Sequence, residues 1–115
     1  LMEECIFCQI AAKKIPAQLV YEDAELVAFE DIKPQAPIHI LIIPREHFPS
    51  LNEVPEEKKS ILGRALLVAR QIAQEKGIAD SGYRIVLNTA RDSGQEVFHL
   101  HFHLLGGRRM SWPPG

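Results

Sequence analysis

The sequence predicts a single α+β domain in which five strands form an antiparallel sheet beside one long and one short helix. Five extended segments are mostly joined by short turns, and the helical segments are few and segregated from them. With 115 residues and 46% hydrophobic side chains, the chain has the size and apolar content of one folded unit. We therefore assign residues 1–115 to one domain.

The first part of the chain is predicted to form a short helix followed by a hairpin. Residues 5–14 place apolar side chains on one helical face, and Pro16 ends the helix. The segments 18–22 and 25–31 are predicted strands, and the turn at 22–24 pairs them as neighbours.

A buried strand and the long helix come next. The loop at 32–37 contains two prolines, which exclude regular pairing, and the β-branched segment 38–43 forms a strand that Pro44 stops. The helix is predicted over 55–76, with Gly77 as its stop signal. Its buried stripe consists of Ile61, Leu62, Ala65, Leu66, Ala69, Ile72 and Ala73. Two further strands, at 83–88 and 97–105, complete the sheet.

The composition excludes several classes of partner. A net charge of −2, with both signs interspersed, gives no patch for nucleic acid or an anionic membrane surface. The apolar runs are too short to span a bilayer, and we find no secretory signal, so we expect a cytoplasmic protein. Cys5 and Cys8 form a C-x-x-C pair; no strand precedes it, which disfavours a thioredoxin-like motif and leaves metal binding open.

Three of the five histidines, His99, His101 and His103, alternate within one predicted strand. Alternate side chains of a strand lie on one face, about 6.6 Å apart, so the three rings would form a row. The opposite face would carry Phe98, Leu100, Phe102 and Leu104. This pattern has three interpretations: a solvent-facing strand with incidental polar residues, a zinc site, or a catalytic site whose central ring is the nucleophile or base.

The residues before the histidines favour phosphate chemistry. The loop at 91–96 contains Gly94, which allows backbone N–H groups to approach an anion, and Asn88 ends the preceding strand. Adjacent cationic rings repel one another, so the histidines are expected to be neutral, and a neutral nitrogen is what attack on phosphorus requires.

The histidine segment at 99–105 resembles the H-φ-H-φ-H-φ-φ signature of the histidine-triad superfamily, where φ is an apolar residue. The loop at 31–39 is similar to the nucleoside-binding loop of that family, which carries a fourth histidine. Residues 82–84 and 94–98 resemble the segment that leads into the triad. The end of the chain, 105–115, resembles the branch of histidine-triad nucleotide-binding (Hint) proteins, so the resemblance covers essentially the whole sequence.

The resemblance implies a role for each matched residue. His101 corresponds to the nucleophile that attacks the α-phosphorus and forms a nucleotidyl-histidine, and His103 would contact the phosphate. His39 and His99 would orient the nucleophile, and Asp31 would accept hydrogen bonds from the ribose hydroxyls. The purine would lie among Ile6, Phe7, Ile10, Phe29 and Ile32, and the phosphate would be held by Asn88 and by the backbone of Gly94, Gln95, Glu96 and Val97.

The implied activity is hydrolysis of purine nucleoside 5′-phosphoramidates to AMP or GMP and an amine, with no metal required for the chemistry. One alternative is a dinucleoside polyphosphate hydrolase, against which the continuation at 105–108 argues. Another is a non-catalytic nucleotide-binding or scaffold protein. The resemblance also implies a homodimer formed through the long helix and an adjacent strand, in which Trp112 would cover the partner's site.

Two features depart from the pattern common in this branch. Glu96 stands where many members have Ser or Thr; it is similar to bacterial members, and it would either hydrogen-bond the leaving amine or repel the phosphate. The C-x-x-C pair, which many members lack, binds zinc in some bacterial relatives together with residues that match His47 and His99. We therefore expect Cys5, Cys8, His47 and His99 to form a closed structural zinc site, with a metal-free protein as the alternative.

Overall fold

The computed structural model describes residues 4–115, which fold around one antiparallel sheet of five strands. The strands are β1 Leu19–Glu22, β2 Leu26–Glu30, β3 Ile38–Pro44, β4 Tyr83–Val86 and β5 Phe102–Gly106, in the spatial order β1-β2-β3-β5-β4. The helices are α1 Ile6–Ala11 and α2 Lys59–Glu75. The predicted fold class is confirmed.

The two helices pack on opposite faces of the sheet, which explains why the central strands are buried on both sides. Ala69 and Ile72 of α2 lie in one apolar cluster with Leu104 of β5. Phe7 of α1 lies in a second cluster with Leu41 of β3. Because neighbouring residues of a strand point to opposite faces, the central strands β2 and β3 contribute to both clusters.

The start of the last strand differs from the prediction and bears on the site. The expected strand over 97–105 is wrong in its first half, because β5 begins at Phe102. The N–H of Leu100 donates to the carbonyl of Phe48 at 2.7 Å, outside the ladder, and Phe98 is 56% exposed. The alternation nevertheless holds from Leu100 onward, since Leu100, Phe102 and Leu104 are all buried in the α2 cluster.

The other boundaries shift by a few residues. α1 ends at Ala11, well before Pro16, and Lys13 has a φ of 61°, which is incompatible with continuing a right-handed helix. The first turn of the predicted long helix is a 3-10 turn, Glu56–Lys58, before α2 begins.

A cluster of charged side chains joins the β1–β2 hairpin to α2. Arg64 of α2 forms ion pairs with Asp23 and Glu25 in the hairpin turn. Asp23 also accepts the N–H groups of Glu25 and Leu26, each at 2.8 Å. One carboxylate therefore closes the turn and binds the helix.

In the described part of the chain, no helix is long and apolar enough to cross a bilayer. The longest, α2, has 17 residues. The cytoplasmic location expected from the sequence stays a prediction.

Candidate active site

A cavity of about 340 Å³ opens on the face of the sheet that α1 covers. Its apolar part is formed by α1, β2, β3 and neighbouring residues. The apolar side chains are Ile6, Phe7, Ile10, Ile15, Pro16, Ala17, Phe29, Ile32, Leu41 and Val97. Its polar side chains are Glu30, Asp31, Asn88, Glu96, His101 and His103. The cavity thus joins an apolar compartment to two of the three alternating histidines.

His101 is buried and held in one tautomer. Its Nδ1 lies 2.7 Å from the carbonyl oxygen of His99, and because a carbonyl can only accept, Nδ1 carries the proton. The lone pair is therefore on Nε2. The ring packs edge-on against Phe7, with centroids 5.2 Å apart, and burial lowers the pKa of His101 below its usual 6.5. A neutral ring with a free Nε2 lining a cavity is suited to nucleophilic attack.

A chain of hydrogen bonds fixes the proton of His103. The N–H of Gln35 donates to Nδ1 of His39 at 2.9 Å, so the proton of His39 is on Nε2. That Nε2 donates to Nδ1 of His103, also at 2.9 Å, which leaves the His103 proton on its own Nε2. Burial and the neighbouring His101 and His39 lower the pKa of His103 to about 4. His103 is therefore a neutral ring with an N–H available at the cavity.

This arrangement changes the expected role of His39. The sequence predicted that His39 orients the nucleophile, but its ring hydrogen-bonds to His103, and it is the His103 ring that lies 4.9 Å from His101. Asp31 lies beside this pair, with a carboxylate oxygen 3.4 Å from Nε2 of His39. Both nitrogens of His39 are engaged, which leaves no lone pair for a metal within this group.

The loop between β4 and β5 forms the remaining wall. Gly94, Glu96 and Val97 line the cavity together with Asn88, whereas the side chain of Gln95 is buried and is not among the lining residues. The backbone conformation of the loop between β4 and β5 therefore determines which of its side chains face the cavity. That Asn88 and the backbone at 94–97 hold a phosphate stays a prediction.

Gln95 holds this loop through three backbone hydrogen bonds. Its side-chain oxygen accepts the N–H of Ala90 at 2.8 Å, and its nitrogen donates to the carbonyls of Pro49 at 2.8 Å and Val97 at 3.1 Å. Ala90 has a φ of 67°, a left-handed conformation that disfavours side chains. Gln95 thus offsets local strain in the loop, a role the sequence pattern did not indicate.

The four predicted metal ligands converge at one end of α1. The Sγ atoms of Cys5 and Cys8 and the Nδ1 atoms of His47 and His99 include neighbours 3.2 to 3.5 Å apart. All four ligand atoms lie within 4.8 Å of one another. Zinc bonds of about 2.0–2.3 Å give a tetrahedron with edges of about 3.3–3.8 Å, so the observed spacings fit that ion.

The protonation of His99 also suits a metal ligand. Its Nε2 lies 2.8 Å from the carbonyl oxygen of Pro44 and donates to it, so the lone pair is on Nδ1, which faces the cysteines. Burial lowers the pKa of His99 to about 4 and, with the adjacent Cys5, raises the pKa of Cys8 to about 11. His99 is thus neutral, as metal binding requires, whereas a bound ion would have to displace the Cys8 proton.

Several cavity residues were not predicted. Leu41 lies on β3 and Glu30 ends β2, and the residues Ile15, Pro16 and Ala17 follow α1. Leu41 lies between Ile40 and Ile42, which belong to the α2 cluster, so the two-residue period of a strand is a signal that would have placed Leu41 on the α1 face. The residues after α1 carry no comparable local signal, because only the packing of α1 on the sheet brings them to the cavity.

Comparisons with known proteins agree with this geometry. The HIT domain family model matches residues 12–110. The purine nucleoside phosphoramidase of Escherichia coli (strain K12) is 52% identical over 108 residues, which cover 94% of this chain and 91% of that protein. Protein HitA of Neisseria gonorrhoeae is 51% identical over 105 residues, or 91% of this chain and 97% of the relative.

Solved structures give the same result. The crystal structure of a HIT family hydrolase from Legionella pneumophila Philadelphia 1 superposes with a TM-score of 0.95 at 49% identity, covering 97% of this chain and all of that chain (100%). A histidine triad protein from Clostridium difficile superposes with a TM-score of 0.92 at 44% identity, covering 94% of each chain.

Proposed function

The chain belongs to the HIT (histidine-triad) family, and from that premise we propose that it hydrolyses purine nucleoside 5′-phosphoramidates to a nucleoside 5′-monophosphate and an amine. The observation that carries the proposal is the pair of opposite tautomers at the cavity. His101 offers a lone pair on Nε2, and His103 offers a proton on Nε2. The 52% identity to a purine nucleoside phosphoramidase supports the same activity.

The reaction proceeds in two displacements at phosphorus. The purine lies in the apolar part of the cavity, and Asp31 accepts hydrogen bonds from the ribose hydroxyls. The lone pair on Nε2 of His101 forms a bond to phosphorus while the P–N bond breaks, and the departing nitrogen keeps that electron pair and takes up a proton. Water then attacks phosphorus, loses a proton, and releases the nucleotide with His101 restored.

The other groups of the site stabilise charge and fix geometry. The Nε2–H of His103 donates to the phosphate, where negative charge increases during attack. His39 keeps that proton on the correct nitrogen through its own hydrogen bond. The carbonyl of His99 accepts the Nδ1 proton of His101, which leaves the lone pair of His101 on Nε2.

The assay compares adenosine 5′-phosphoramidate with diadenosine polyphosphates. We expect AMP release from the phosphoramidate by the wild type and by Arg70→Ala, which changes an exposed residue of α2, but not by His101→Ala. Preferred cleavage of the polyphosphates would favour the dinucleoside polyphosphate hydrolase. Nucleotide binding without release of product would favour a non-catalytic binding protein.

We also propose that Cys5, Cys8, His47 and His99 bind a structural zinc ion. The ion would join α1 to the chain between β3 and α2 and to the histidine segment, and it takes no part in the displacement steps. Elemental analysis of protein purified without chelators tests this, with about one zinc per chain expected. A protein that lacks zinc under these conditions and folds equally well would contradict the proposal.

A homodimer is the third proposal. β4 is an edge strand of the sheet, and Leu66 and Leu67 of α2 are 46% and 54% exposed. The assignment of Leu66 to the buried stripe of the helix is therefore wrong for the single chain. The family resemblance implies pairing through the long helix and an adjacent strand, and Trp112 is 81% exposed near the end of the chain. Sedimentation analysis is expected to give twice the 13.0 kDa chain mass; a monomer at micromolar concentration would contradict it.

A further inference from the structure

The charge of the cavity is unusual for a site that binds a phosphate. Among the described residues that line it are three carboxylates, Glu30, Asp31 and Glu96, and no lysine or arginine. His103 accepts a hydrogen bond on Nδ1 and is therefore neutral in this arrangement. A bound nucleotide consequently meets neutral donors and negative side chains, without a permanent positive charge among the described lining residues.

The three carboxylates occupy different parts of the cavity. Glu30 and Asp31 end and follow β2, beside the apolar residues that suit a purine. Glu96 lies in the loop with Gly94 and Val97, which lead into the histidine segment. A nucleoside in the apolar part with its phosphorus at His101 directs the substituent on the far side of phosphorus toward this loop. In that pose Glu96 is the carboxylate on the side of the departing group, whereas Asp31 lies beside His39 and His103.

Glu96 is also available to bind a ligand. It is exposed, and in the described part of the chain it has no ion-pair partner, unlike Glu22 or Glu25, which pair with arginines. Asp31, by contrast, already accepts the N–H of Lys33 at 2.8 Å. A free carboxylate beside the leaving-group position attracts a cation and repels an anion.

We propose that Glu96 is a specificity-determining residue that favours phosphoramidates whose departing amine carries a second positive charge, such as an alkyl diamine. This inference rests on the proposed phosphoramidase function and adds the chemical class of the leaving group. When the P–N bond breaks, the departing diamine takes one proton and keeps its distal ammonium beside Glu96. Anionic leaving groups, including polyphosphates, are disfavoured by the same carboxylate.

The test uses three adenosine 5′-phosphoramidates with similar chain length and different charge. Their amines are 4-aminobutyl, butyl and 3-carboxypropyl, which are cationic, neutral and anionic at neutral pH. We measure kcat/KM for the wild type, for Glu96→Gln and for Glu57→Gln, which removes the same charge from an exposed turn outside the cavity. Comparing ratios between variants cancels the intrinsic reactivity of each substrate.

We expect the ratio of cationic to neutral substrate to be about three- to five-fold higher in the wild type than in Glu96→Gln, as befits one partly exposed charge pair. The ratio of neutral to anionic substrate should likewise be higher in the wild type than in Glu96→Gln. Glu57→Gln should retain both wild-type ratios. Added salt should reduce both ratios in the wild type, because it screens the charge of Glu96. Equal acceleration of all three substrates by Glu96→Gln would overturn the inference, since Glu96 would then act only on the phosphate. Unchanged ratios would also overturn it. Hydrolysis of none of the three by the wild type would instead reject the proposed function itself.

Discussion

Replacing Gln95 with leucine tests how the loop beside the phosphate keeps its shape. The substitution preserves most of the side-chain volume but removes the amide, so the hydrogen bonds to Ala90, Pro49 and Val97 are lost. A typical hydrogen bond contributes about 0.5–1.5 kcal/mol, and a buried partner left unsatisfied costs more. Three such bonds at a partly buried loop give an expected loss of about 2–4 kcal/mol in the free energy of unfolding.

Urea unfolding measures this loss, and AMP titration measures its effect on the site. Gln71→Leu is the matched control, because Gln71 is exposed on α2 and its side chain has Glu75, at 3.2 Å, as its sole hydrogen-bond partner within residues 4–115. The cost of this substitution should stay below about 0.5 kcal/mol. Gln95→Leu should also weaken AMP binding, since Gly94, Glu96 and Val97 lose their fixed positions. If Gln95→Leu were as stable as the control and bound AMP normally, the assigned role of Gln95 would be refuted.

Three further predictions concern charge, protons and the metal. Arg64→Met should lower the free energy of unfolding by about 0.5–1.5 kcal/mol and by less in high salt, because its ion pairs with Asp23 and Glu25 are partly exposed; an unchanged urea midpoint would contradict this. Since the pKa of His103 is about 4 in the folded chain and 6.5 ordinarily, the unfolded chain binds more protons between these values. Stability should therefore be fully retained above pH 6.5 and fall toward pH 4, and His103→Gln should flatten that slope in unfolding experiments. Cys8→Ser should reduce bound zinc and lower Tm, and a variant with full zinc occupancy and unchanged Tm would refute the ligand assignment.

The sequence predicted the sheet and the helices because their signals are local. Proline, glycine and apolar spacing define α2 and the strands within a few residues. In the histidine segment, local signals predict which side chains are buried but not the long-range hydrogen bonds of the backbone. Alternation correctly separates Leu100, Phe102 and Leu104 from the histidines, but it does not reveal that Leu100 bonds to Phe48 and leaves the ladder.

The sequence predicted which residues form the site better than it predicted which of them hydrogen-bond to one another. Cys5, Cys8, His47 and His99 converge as the resemblance implied, although 94 residues separate the first from the last. The partners of each ring depend on long-range packing: His39 lies across the β3–β5 ladder, where it bonds to His103 rather than to His101. The role of Gln95 likewise follows from the position of Pro49, which no local pattern specifies.

The central claim is that Nε2 of His101 is the nucleophile. The most direct measurement is intact-mass and peptide analysis of protein quenched during turnover of adenosine 5′-phosphoramidate. We predict a nucleotidyl adduct on the peptide that contains His101 in the wild type, and neither adduct nor AMP release in His101→Ala. Wild-type turnover by His101→Ala, or an adduct on another residue, would contradict the claim.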